Sequence, residues 1–196
     1  HWVLWSATTL GSIALLALLP VAAAAKAEAR WTRLKAKDPA CRQRRPRHYL
    51  LTPVLATLLV FGTFAAALTP LLHHEILPES GSGILTQIGW MLGFFFLTLV
   101  TVSGGLRYVY SGTDKGLWFI FAYLVLVWLI PPVADYALEI VTTPYAAAGP
   151  SFLLACSPIG AWVALLTQSH APLVPGFVLH LLMAAGSLLL ARRAKY

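Results

Sequence analysis

Three groups of side chains in this sequence have the types and spacing that chemistry could use. His73-His74-Glu75 closes one apolar stretch, and His170 lies further along the chain. Imidazoles and carboxylates of this kind could hold a metal or serve a membrane-embedded enzyme. Adjacent histidines on a regular element do not easily share one small ion, however, and no HxxxH or ExxH spacing accompanies them. Polar residues ending a helix at the water boundary is the plainer reading. Asp135 and Glu139 are four apart and share a helix face. They follow Pro131-Pro132, a pair expected to kink the helix and free backbone carbonyls. Paired carboxylates beside a freed backbone could handle protons or cations; they equally mark a helix end entering water. His180 is the ionisable residue nearest the middle of an apolar segment. It could ligate haem or chlorophyll, or hydrogen-bond across a bundle, and the packing role is the simpler of the two.

The elements that must carry these residues are apolar. Of the 196 residues, 59% are hydrophobic and 11% charged, where a soluble domain carries about 25% charged residues. The mean hydropathy is +0.75. A water-soluble fold of this size cannot bury so much apolar surface, so lipid must solvate much of it. The net charge of +7 does not point to nucleic acid, because the charges gather at the ends of the apolar segments. Cys41 and Cys156 are far apart, in segments expected on opposite faces, which gives neither a disulfide framework nor a metal knuckle. No Walker A loop, GxSxG elbow or CxxCH haem attachment occurs.

Five apolar stretches stand out, at 2–25, 49–72, 84–110, 117–141 and 173–191. Each approaches or exceeds the ~20 residues that cross ~30 Å of hydrocarbon as a helix. Helices are required, since an open strand would leave unpaired backbone groups in lipid. The first stretch ends in a small-residue run, Val21 to Ala25, like a signal-peptide cleavage site. It lacks a preceding basic region, so a retained helix is the expectation. The chain opens on His1 rather than Met, which suggests processing or a segment of something longer. Small residues recur (Gly62, Ala65 and Ala66; Gly104 and Gly105; Ala184 to Gly186), and Gly89 to Gly93 is a GxxxG spacing that permits close helix approach.

The connections alternate in charge. The basic loop 26–48 carries nine Lys and Arg; the connection 73–83 carries none, but holds Glu75 and Glu79; the turn 111–116 holds Lys115 and is flanked by Arg107; the outer segment 142–172 is uncharged; and the C-terminus carries Arg192, Arg193 and Lys195. Five crossings place all 14 Lys and Arg on one side, and four of the seven acids on the other. By the positive-inside rule that side is cytoplasmic, with the N-terminus outside and the C-terminus inside. Trp2, Trp5, Trp90 and Trp118 fall near the predicted interfaces, where indoles prefer to sit.

Two connections have structure of their own. Residues 27–37 lack Gly and Pro and are rich in helix formers. Trp31 and Leu34 share a face among basic neighbours, so a short cytoplasmic helix is expected, stopped by Asp38-Pro39. Arg30, Trp31, Arg33 and Leu34 would bind a protein partner or anionic lipid headgroups. In the outer segment, Ser157 reads as an N-cap and Pro158 as a first helical residue, opening a short helix over Ile159 to Leu166. Too short to span, it is expected to be re-entrant or interfacial.

This order of elements resembles the membrane subunits of ABC exporters of the second permease type. Glu28-Ala29-Arg30-Trp31-Thr32-Arg33-Leu34 occupies the position of their cytoplasmic coupling helix. The segment from Ser157 to Leu166 is similar to their outer helices before the last span, and Leu188 to Arg193 resembles their usual ending. The resemblance implies six spans, of which this chain would supply the last five, without the amphipathic entry helix. It also implies a separate cytoplasmic ATPase subunit, a hydrophobic or amphipathic substrate, and no cofactor or catalytic residue in this chain. The expected fold is therefore an all-α polytopic membrane helix bundle, with about five transmembrane helices, a short cytoplasmic helix and a re-entrant or interfacial outer helix. The alternative function is a non-catalytic structural or accessory subunit of a larger photosynthetic or respiratory complex, with pigment or haem in the surrounding subunits.

Overall fold

The computed structural model describes residues 2–38, 55, 59, 62, 81–142, 152–161 and 173–193. All regular structure among them is helical. The elements are α1 (Trp2–Lys37), α2 (Gly81–Gly112), α3 (Gly116–Tyr123), a π-helical segment (Leu124–Leu129), α4 (Ile130–Thr142), the single turn α5 (Phe152–Ala155) and α6 (Leu173–Arg193). α3, the π segment and α4 join end to end as one return helix. Three segments are long and apolar enough to cross a membrane: Gly89–Gly112, Gly116–Val141 and Leu173–Arg193. The expected span at 2–25 lies within α1. The expected span at 49–72 lies outside the described residues, apart from helical positions 55, 59 and 62.

The basic stretch expected as a separate short helix is instead the end of α1. After Pro20 no Gly or Pro interrupts the sequence until Pro39, and the run Ala22 to Ala25 has the highest helix propensity available. The 36 residues of α1 reach about 54 Å at 1.5 Å per residue, well beyond ~30 Å of hydrocarbon.

α2 is the central element. Met91, Phe94, Phe95, Thr98, Leu99, Val102, Leu106 and Tyr110 are all buried. α1 lays a stripe of Leu18, Val21, Ala22, Ala25 and Ala29 into the same core, at the three- and four-residue spacing of one helix face. In lipid, apolar side chains gain little from leaving their solvent, so helices associate by tight packing, and small residues favour close approach. Gly104 provides it toward α6: a Cβ there would lie 2.8 Å from the Ser187 carbonyl carbon and oxygen. Gly93 accepts the Phe177 ring, and Gly105 the Phe119 ring. The GxxxG spacing thus supplies one contact rather than two, because Gly89 faces open space.

These contacts fix direction. Gly93 meets Phe177 and Gly104 meets Ser187, so α2 and α6 run parallel. Glu28 meets Arg107 and Arg33 meets Asp114, so α1 points the same way. The return helix runs back along α2, with Phe119 at Gly105 and Tyr123 at Thr98. Every described Lys and Arg therefore lies toward one end of the bundle, while Asp135 and Glu139 lie toward the other.

This packing makes a paired prediction. Gly104→Leu should lower the thermal unfolding midpoint in detergent, since overpacking a tight contact costs about 1–3 kcal/mol or more. Gly89→Leu should leave it unchanged. Equal midpoints for the two variants would contradict the α2–α6 seam.

Candidate functional site

Two regions gather the residues singled out by the sequence. The first is the basic end. Arg30 and Leu34 are exposed on the last turns of α1, and Trp31 is half-buried with Lys35 Nζ 5.2 Å above its ring. Arg33 points the other way. Its guanidinium reaches Asp114 Oδ1 at 3.4 Å and donates to the Tyr110 carbonyl, binding α1 to the turn between α2 and α3. One helical turn below, Arg107 pairs with Glu28 at 2.9 Å, the Glu28 carboxylate being largely shielded from solvent. The four residues read together as a docking set are thus divided. Arg30, Trp31 and Leu34 lie on the outer part of the tip, and Arg33 fastens it.

The two clamps differ in strength. Asp114 is 78% exposed and Arg33 42%, and pairs of that kind contribute about 0–1 kcal/mol. The Glu28 carboxylate is 15% exposed, and removing one member of a shielded pair leaves the other uncompensated. Glu28→Gln should therefore destabilise the protein more than Asp114→Asn, as read by thermal unfolding in detergent at low and moderate salt. The Asp114→Asn effect should also fade with added salt. The reverse order would contradict the burial argument.

The second region lies inside the bundle toward the opposite end, and Pro131-Pro132 build it. In an α-helix the N–H of residue 132 would bond the carbonyl of residue 128, and that of 131 the carbonyl of 127. Proline offers neither, and its ring collides with the carbonyl four residues back. The helix widens into a π turn over Leu124–Leu129 directly before the pair. The Trp128 carbonyl is then satisfied from elsewhere: Ser157 Oγ donates to it at 2.9 Å. The same oxygen accepts the Gly160 N–H at 3.3 Å, the N-cap bond expected of Ser157 before Pro158. The Ala161 N–H closes the turn on the Ser157 carbonyl at 2.7 Å. Residues 162–166 of the expected outer helix lie outside the described residues.

His180 completes this latch. It is fully buried in α6, and its Nε2–H donates to the Cys156 carbonyl at 3.0 Å. A carbonyl only accepts, so this bond sets the tautomer and leaves Nδ1 as the acceptor. Phe94 meets the imidazole edge-on at 5.3 Å. The neighbouring Cys156 is a buried free thiol; burial pushes its pKa up, which keeps it protonated and weakly nucleophilic. Successive residues, Cys156 and Ser157, thereby tie the outer turn to α6 and to the return helix. Asp135 is half-buried and Glu139 exposed on α4 beyond this point. His73, His74, Glu75 and His170 lie outside the described residues. Among the described residues, no group of three or more His, Cys, Asp or Glu is placed to hold a metal ion.

The sequence reading did not single out Glu28, Arg107, Asp114 or the Ser157–Trp128 bond. A signal existed for Glu28 and Asp114, acids set among basic neighbours. Comparisons with family models, with curated proteins and with solved structures return no match for this chain.

Losing the Ser157 hydroxyl removes a cap and leaves the Trp128 carbonyl unsatisfied. Ser157→Ala should cost about 1–3 kcal/mol, and hydrogen exchange should speed up at the amides of 124–130 and 158–161 while α1 is unaffected. Unchanged exchange around residue 128 would remove the latch.

Proposed function

We propose that this chain is the membrane-spanning permease subunit of an ABC-type exporter. In this reading about five helices cross a bacterial inner membrane, the N-terminus of the chain lies outside, and the basic end lies in the cytoplasm. A separate ATPase subunit docks on the outer part of the α1 tip, at Arg30, Trp31 and Leu34. Nucleotide hydrolysis takes place in that partner, and this chain offers the path for a hydrophobic or amphipathic substrate.

One observation carries the proposal. The basic tip is not a loosely tethered surface helix. It continues, without a break, the helix whose Leu18, Val21 and Ala25 are buried in the core, and two ion pairs clamp it to α2 and to the turn after it. A force on the tip is therefore carried into the central helix, as a rigid connection carries it. The permeases that the sequence resembles use a distinct coupling helix; here the same position is occupied by the clamped end of α1. The latched turn at 156–161 and the parallel run of α1, α2 and α6 agree with the same layout.

The test is purification from the native membrane under mild detergent. The expected result is copurification of an ATPase subunit whose association is lost in the Arg30→Glu/Leu34→Asp variant, while thermal stability and elution volume are retained. Copurification of pigment- or haem-bearing subunits with no ATPase would replace the proposal with the accessory-subunit reading.

A further inference from the structure

One bond ties His180 to the outer turn, and that bond depends on the charge of the ring. The imidazole has no exposed surface. Nε2–H donates to the Cys156 carbonyl at 3.0 Å, and Nδ1 has no hydrogen-bond partner among the described residues. Neutral imidazole suits this place, because it has one N–H to satisfy and finds one acceptor. Imidazolium carries a second N–H, at Nδ1, together with a full charge. The Cys156 bond would gain from that charge, but a buried charge with one of its two donors unmet costs more than a single hydrogen bond returns.

Among the described residues, no ionised group on the elements packed against His180 offsets that charge. α2 presents Phe94, edge-on at 5.3 Å, and has no titratable side chain from Gly81 to Leu106. The outer turn brings the Cys156 thiol, which burial keeps protonated. α6 itself carries no other titratable residue before Arg192, about three turns away. Tyr123, Asp135, Tyr136 and Glu139 belong to the return helix, which meets the outer turn through α4 and the Trp128 carbonyl.

We propose that His180 makes the outer turn a proton-released latch. In the closed form the ring is neutral and the turn at 156–161 is fastened to α6. When the turn lifts, the ring meets water and takes a proton with the ordinary histidine pKa of about 6.5. It then stays out of its buried place until it gives that proton up. The proton binds the open form alone and draws the equilibrium toward it. The sign follows: fastening is complete above about pH 6.5 and is lost as pH falls below it. In the proposed orientation the turn faces the outside, so an acidic exterior loosens this end while the Glu28–Arg107 and Arg33–Asp114 pairs hold the basic one. The latch itself is independent of the permease reading.

Amide exchange reads the latch directly, through the Cys156, Ser157, Gly160 and Ala161 N–H groups that are bonded within the turn. The full chain is placed in phosphatidylcholine nanodiscs, and protection is corrected for the intrinsic pH dependence of exchange. Protection at these amides should fall about 30-fold between pH 7.5 and pH 5, as expected when one proton binds only the open form. Amides 99–106 of α2 should hold. His180→Gln keeps an N–H donor and loses the titration, so its turn should be protected at pH 7.5 and remain so at pH 5. Protection that is flat in the wild type, or a fall that persists in His180→Gln, would overturn the latch; the second result would pass the effect to Asp135 or Glu139. Should His180→Gln not hold the turn at pH 7.5, the wild-type protein with labelled histidine decides. Loss of protection that follows the titration of the His180 ring shifts supports the latch, and loss that does not follow it overturns the latch.

Discussion

The arrangement of this protein depends on two helix donors that do not exist. Pro131 and Pro132 remove the N–H groups that the carbonyls of residues 127 and 128 would receive. In water such carbonyls would be hydrated at little cost. Within a bilayer each unsatisfied group costs several kcal/mol, so the protein must supply another partner. The return helix widens ahead of the prolines, and Ser157 reaches in from a segment 29 residues along the chain to donate the missing bond. The turn at 156–161 is thereby held against the bundle.

Much else hangs on that exchange. Ser157 acts twice, as donor to Trp128 and as cap for the turn that follows. Because the turn is held, the Cys156 carbonyl is presented to His180, and the buried imidazole gains a partner without any second charge. The small residues of α2 then let α6 approach closely enough to bring that histidine into place. Packing and polar satisfaction are here one problem. The helices come close only where a glycine allows it, and they stay close because the polar groups so buried are mostly paired with one another.

At the other end electrostatics does the joining. The parallel run of α1, α2 and α6 collects the described basic residues, and two acids, Glu28 and Asp114, bind the longest helix to the centre of the bundle. The asymmetry between a basic, water-facing end and an uncharged, latched end is what the proposed transport role would use.

Several of these features were legible in the residues. The alternation of charge between apolar stretches matches the parallel run of α1, α2 and α6, and three of the five stretches are long and apolar enough to span. Ser157-Pro158 announced its cap and Pro131-Pro132 the freed carbonyls, because both follow from local backbone chemistry, whereas the expected kink takes the form of a π turn. The split of Arg33 from Arg30 and Leu34 was not legible, since it depends on Asp114, 81 residues away. Nor was the continuity of α1 visible, because a charged segment after an apolar one reads as a boundary even when nothing stops the helix. The most direct test of the account is the cost of Ser157→Ala measured in a Pro132→Ala background. Residue 132 then donates to the Trp128 carbonyl itself, and the cost should fall to that of the lost cap alone; an undiminished cost would contradict it.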